Sequence, residues 1–229
     1  MKSNGIKGVI QLILSVVLYF LIDNYLFWLL GKIGIHFTGD LYMIASFVKY
    51  LVICLFIYLI YRPQIHSSKN KFVKSLLVSG IFAVGTAVLL VFVNFLLHRL
   101  IGTFHVVGGY GFINYFDQAV SINTILSVII NVILIPFIVI SIFPLGVSNV
   151  IKSPIGAALI AGLLYGLIYA LNLHTSIENA FWLTVVPALI MALITYIHKT
   201  AQNIWMVYIS YILYVGLGTF VLRYFVWKS

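Results

Sequence analysis

Residues Pro154 to Leu173 read PIGAALIAGLLYGLIYALNL. The run carries no charge over about 20 residues, which at about 1.5 Å rise per residue crosses a hydrocarbon core of about 30 Å. Ala158, Gly162, Gly166 and Ala170 recur at every fourth position. That spacing puts them on one helix face, and a face nearly bare of side chains lets a neighbouring helix approach to backbone contact. Tyr165 and Tyr169, also four apart, flank the seam. The stretch predicts a helix at the centre of a membrane bundle.

The rest of the chain agrees in class. Of its 229 residues 63% are hydrophobic and only 7% charged, against about 25% charged in soluble domains. The expected fold is all-α, a polytopic transmembrane helix bundle of about seven spans, with eight the other count allowed. It is read as a single domain over residues 1–229. A net charge of +9 would point to nucleic acid in a soluble protein, but here the basic residues sit at helix ends and in short loops, where they set orientation. No nucleic-acid partner is expected. Cys54 is the sole cysteine, which excludes an intrachain disulfide and a Cys-based structural zinc site.

Spans are expected at about 9–30, 41–61, 73–98, 123–148, 154–173, 180–197 and 204–226, divided by the breaks GKIGIHFTGD, RPQIHSSKNK, a long aromatic loop, NVIKSP, HTSIEN and HKTAQN. Lys2, Lys7, Arg62, Lys69, Lys71, Lys74, Lys152 and Lys199 collect on one side. The positive-inside rule makes that side the cytoplasm and places the N-terminus there, in a multi-pass cell-membrane protein.

Two ionisable residues fall inside spans. Asp23 and Lys49 lie at similar depth on either side of the first outer loop, and the cost of an isolated charge in lipid predicts that they pair. The pair reads either as a structural staple or as part of a proton or ion path. Asn94 and Asn131 read as interhelical glue. Pro136 and Pro144, on one span, predict a distorted helix.

PFIVISIFPLG from Pro136, AALIAGLLYGLIYALN from Ala157 and PALIMALITYIHKTAQNIWMVYISYILYV from Pro187 to Val215 together resemble, in their order, the core of the CPBP family, also called the Abi or CAAX-protease family. That family includes type II CAAX prenyl endopeptidases and bacterial bacteriocin-immunity and regulatory proteins. Its pattern is EExxxR after a proline-containing lead, a small-residue helix ending FxxxH, a further helix, a turn of the type TGNIW, and a last helix with HxxxN. The three segments stand in the places of these motifs. The resemblance implies a CPBP/Abi-like four-helix core over residues 123–226, with residues 1–122 as additional N-terminal helices.

The frame is present without its chemistry. The paired glutamates fall on Val139 and Ile140, the arginine on Pro144, the phenylalanine and histidine on Tyr165 and Tyr169, and the last histidine and asparagine on Tyr211 and Val215. Peptide hydrolysis needs a base or a metal to make the nucleophile and donors for the oxyanion. Valine and isoleucine supply neither, and a tyrosine with its ordinary pKa of about 10 is a donor at neutral pH. The tyrosines suggest a filled cavity whose hydroxyls bond one another or Asn131. The expected function is therefore a non-catalytic partner of a membrane or envelope protein or peptide, without cofactor. A displaced-site endopeptidase and a small transporter are the alternatives. For the former, His174 and Glu178, four apart, are the candidate metal ligands, although HxxxE alone is an unspecific motif.

Overall fold

The computed structural model describes residues 2–74, 76–102, 121–171 and 177–221, with the side chains of 2–4, 69–74, 76, 101 and 177–182 left aside. Among the described residues all regular structure is helical, and seven helices are long and apolar enough to cross a membrane. The protein is a multi-pass membrane bundle. In chain order the helices are α1 (Lys2–Lys32), α2 (Gly39–Lys74), α3 (Leu76–Ile101), α4 (Ile122–Val150), α5 (Pro154–Leu171), α6 (Ile177–Ala201) and α7 (Ile204–Val221).

The sequence reading ends the second span at RPQIHSSKNK, but α2 runs through Pro63 to Lys74. Proline forfeits one backbone bond and bends a helix without having to end it. The turn beyond Pro63 is held from α7, where Trp205 Nε1 donates to the buried Ile65 carbonyl at 3.1 Å.

The helix with two prolines is irregular. Within α4, π-helical turns cover Ile129–Leu134 and Ser141–Val147, the first just before Pro136 and the second containing Pro144. A π turn widens the backbone, which accommodates a residue that has no N–H to give and a ring that would strike the preceding turn. Every residue from Ile138 to Val147 is buried.

That burial corrects the expectation drawn from residues 154–173. The centre of the bundle is α4, while α5 lies at its side with Leu159, Leu163 and Leu167 exposed. The bare face of α5 is turned onto α6. A Cβ added at Gly162 would stand 2.7 Å from the Ala188 carbonyl oxygen and 3.0 Å from the Ala192 Cβ, and one at Gly166 would stand 2.9 Å from the Ala188 Cβ. Alanines four apart on α6 thus meet glycines four apart on α5, so the two backbones nearly touch. Ala158 is buried at the same face and Ala170 half-buried.

The turn between α6 and α7 follows from AQNIW. Gln202 takes a left-handed φ of 51°, and Asn203 caps α7 by accepting from the backbone N–H groups of Trp205 (3.1 Å) and Met206 (3.3 Å).

Candidate functional site: a buried tyrosine cluster

Val139, Ile140 and Pro144 come from α4, Tyr165 and Tyr169 from α5, and Tyr211 and Val215 from α7. All are buried except Tyr169, which is half-buried. One ring contact joins α4 to α5, and two run along single helices. Tyr165 meets Phe143 of α4 edge-on at 5.1 Å and Tyr169 at 6.3 Å, and Tyr211 stacks on Tyr214 at 5.5 Å and 22°. Tyr165, Tyr211 and Tyr214 belong to one buried core cluster together with Val139, Ile140, Phe143 and Val215. The α5 and α7 positions therefore converge, and their rings fill the space between those helices and α4.

The hydroxyls are not equally served. Tyr214 accepts from Asn94 Nδ2 of α3 at 2.9 Å, and both residues are fully buried. Tyr211 faces Tyr165, but its hydroxyl meets no partner at full hydrogen-bond distance and angle among the described residues. Asn131 does not reach the cluster. Its Nδ2 turns back to the Ser127 carbonyl at 2.9 Å and the Ser127 hydroxyl at 3.2 Å. A side chain that can bond its own preceding turn needs no partner across the bundle, and the expected Asn131–tyrosine bond gives way to this local one.

Asp23 and Lys49 lie together between α1 and α2. Lys49 Nζ is 2.7 Å from Asp23 Oδ1 and 3.3 Å from the Asp23 carbonyl oxygen, and the Tyr50 hydroxyl donates to the same Oδ1 at 2.8 Å. The ammonium also stands over the Tyr50 ring at 4.5 Å and the Phe27 ring at 5.1 Å. Tyr19 lies one turn before Asp23, on the side of its carboxylate.

Chemically, the cluster offers hydroxyl donors and aromatic faces. None of the side chains at the seven motif positions can take a proton from water at neutral pH. His174 lies outside the described residues. Glu178 belongs to the first turn of α6, with its side chain outside them. His198 sits at the other end of α6, about 30 Å away by helical rise, buried, with no partner for Nδ1 among the described residues. No three His, Cys, Asp or Glu side chains gather among the described residues.

Sequence reasoning missed Phe143, Tyr214, Tyr50 and Tyr19 as members of these two groups. The spacing of Tyr211 and Tyr214, three apart on one helix face, carried a signal for the second. Tyr50 follows Lys49 directly, and Tyr19 precedes Asp23 by four. Phe143 had no sequence signal, because the π turn that aims it is not written in a hydrophobic pattern.

No family model, curated protein or solved structure matches the chain.

Proposed function

We propose that this is a non-catalytic membrane protein with a CPBP/Abi-like frame, which acts by binding another membrane or envelope protein or peptide, in the manner of a bacteriocin self-immunity protein or a regulatory scaffold. The observation that carries the reading is the filling of the motif positions. Val139, Ile140, Tyr165, Tyr169, Tyr211 and Val215 occupy the places where the resemblance puts a base and its supporting groups; the aliphatic ones are buried in the core, and each tyrosine has a ring neighbour. A hydrolase needs room there for water and a scissile bond. What remains useful is the outside of the bundle.

The same reading places the protein in the cell membrane with its N-terminus in the cytoplasm. Support comes from Lys7, Arg62, Lys152 and Lys199, which gather toward one end. Lys199 Nζ donates to the Ser148 carbonyl at 2.7 Å, and Gly8 lies against Asn149.

The test is deletion of the gene from its host, followed by challenge with the peptide bacteriocins that the same strain secretes. The deleted strain is expected to become sensitive, with protection restored by the wild type and equally by Tyr169→Phe, which removes a hydroxyl the reading gives no chemistry. A deleted strain as tolerant as its parent overturns the immunity form. Protection lost in Tyr169→Phe while the protein remains folded in the membrane overturns the non-catalytic one.

A further inference from the structure

One end of the bundle gathers cations from separate stretches of the chain. Lys199 Nζ donates to the Ser148 carbonyl at 2.7 Å, so the end of α6 meets the end of α4. Gly8 of α1 packs on the same turn, where an added Cβ would stand 3.4 Å from the Asn149 carbonyl oxygen and 3.6 Å from Val150 Cγ2. Lys7 precedes that contact by one residue and Lys152 follows it by two, which by chain geometry holds their α-carbons within about 18 Å of each other. Both side chains are exposed, and each extends about 6 Å from its α-carbon. Their ammonium groups can therefore meet on one small anion between them, with the Lys199 charge fixed beside it. Gln11 Nε2 of α1 donates to the Ile60 carbonyl at 2.8 Å, which sets the exposed Arg62 of α2 near the same end.

No carboxylate among the described residues answers this charge. Asp23 lies mid-span in its pair with Lys49. Asp40 opens α2 and Glu178 lies in the first turn of α6, both at the opposite end, and Asp117 is outside the described residues. Neither Lys7 nor Lys152 has an ion-pair partner among the described residues. Apolar rows lead into both lysines. Ile10, Leu14 and Val17 continue the face of Lys7 along α1 at helical spacing, and Ile155, Leu159 and Leu163 rise along α5 from just past Lys152. All six are exposed, so in a membrane they lie against acyl chains. Each row is about 10–12 Å long by helical rise, most of one leaflet's share, about 15 Å, of the hydrocarbon core.

The occupant that matches both features carries an anion and hydrocarbon in one molecule. A free phosphate or an acidic peptide would answer the lysines and leave the rows uncovered. A zwitterionic lipid would bring a further ammonium into a group of cations. We propose that Lys7 and Lys152, with Lys199 beside them, bind the headgroup phosphate of one anionic phospholipid, whose chains lie along these rows. Orientation by the positive-inside rule requires only that cations lie on one side. Here they share one anion, and binding saturates. The inference depends neither on the partner-binding reading nor on which side of the membrane this end faces.

The test is native mass spectrometry of the full chain in nonionic detergent, titrated with phosphatidylglycerol, phosphatidylcholine or glycerol 3-phosphate. One phosphatidylglycerol is expected to bind saturably and at least about tenfold more tightly than phosphatidylcholine, since each lysine near an anionic headgroup contributes about fivefold. Lys7→Gln with Lys152→Gln should cut phosphatidylglycerol affinity about 25-fold on the same scale, and Lys7→Arg with Lys152→Arg should keep it. Lys32 and Arg99 are exposed cations that close α1 and α3 at the opposite end. Lys32→Gln with Arg99→Gln removes the same net charge and should change the affinity by less than about twofold, because salt screens charges at that distance. Every substituted side chain is exposed, so each variant should melt with the wild type. Equal binding of the two lipids overturns the proposal. So does an equal loss in the two glutamine pairs, which would make the effect one of net charge. Glycerol 3-phosphate bound as tightly as phosphatidylglycerol overturns it as well, because the chains would then play no part, and so do lipid adducts that accumulate without saturating.

Discussion

Two helix pairs in this molecule are joined by opposite means. At the α5/α6 seam, Gly162 and Gly166 let the backbone of one helix lie against Ala188 and Ala192 of the other, with no charged group involved. Between α1 and α2 the facing residues are bulky, a groove stays open, and the closest link is the Asp23–Lys49–Tyr50 group. In lipid, burying apolar surface gives little drive for helices to associate, because the solvent is equally apolar. Close backbone contact and polar bonds are the two remaining devices, and this chain uses one in each place. The difference teaches that a tight seam can stand alone, whereas a polar clasp holds two helices while leaving a groove between them.

The contrast breaks most severely at the clasp. Lys49→Met leaves Asp23 with only tyrosine donors, and its ionised carboxylate then sits in a site that is 17% exposed. The expected loss is about 3 kcal/mol, from the cost of an uncompensated charge in a buried or intramembrane position. Adding Asp23→Leu should recover most of it. Denaturation of the detergent-solubilised chain measures both. Recovery by the double variant marks the pair as a mutual obligation. Equal loss in the single and double variants would show that the ammonium contributes through its ring contacts alone.

Gly162→Val tests the seam. Its Cβ would fall 2.7 Å from the Ala188 carbonyl oxygen, which is backbone and cannot rotate away. The helices must separate, at an expected cost of about 2 kcal/mol, within the range for overpacked cores. Gly85→Val, at a site where nothing lies within 4 Å of the new carbon, should change stability by under about 0.5 kcal/mol in the same assay. A seam variant as stable as the Gly85 control would remove close contact as the cause of α5/α6 pairing.

The sequence reading reached these two regions but not the rest of the bundle, for physical reasons. The seam was legible because small residues every fourth position have few other uses in a helix, and the clasp because two charges at one depth must find each other in lipid. The place of α4 was not legible. Its burial comes from being surrounded by the other helices, and uniform hydrophobicity reads alike for a lipid-facing helix and a central one. The continuation of α2 was hidden by Pro63 and the polar residues after it, because the bond that steadies it comes from Trp205, 140 residues away. In the candidate site, Tyr165, Tyr169 and Tyr211 were singled out in the sequence by the frame it resembles, and the structure shows Tyr165 and Tyr211 in one buried cluster. The choice of Asn94 over Asn131 was not, because it depends on which side chain can satisfy itself locally.

The smallest effects concern two neighbouring tyrosines on α7. Tyr214 and Tyr211 are both fully buried and their rings stack, so replacing either by Phe keeps the packing and removes one oxygen. Their surroundings differ. The Tyr214 hydroxyl takes the Asn94 amide at 2.9 Å, and Tyr214→Phe would remove that bond, for an expected loss of about 1 kcal/mol. The Tyr211 hydroxyl has no partner among the described residues, so Tyr211→Phe should lie within about 0.5 kcal/mol of the wild type, since removing an unsatisfied buried polar group relieves a cost. The comparison sharpens the account of the filled site. If Tyr211→Phe proves the more damaging, its hydroxyl holds a bond to Tyr165 or to a buried water, and the cluster is a connected polar network. If Tyr214→Phe does, the cluster is a block of rings anchored at one end by Asn94, and its interior has no further polar function to lose.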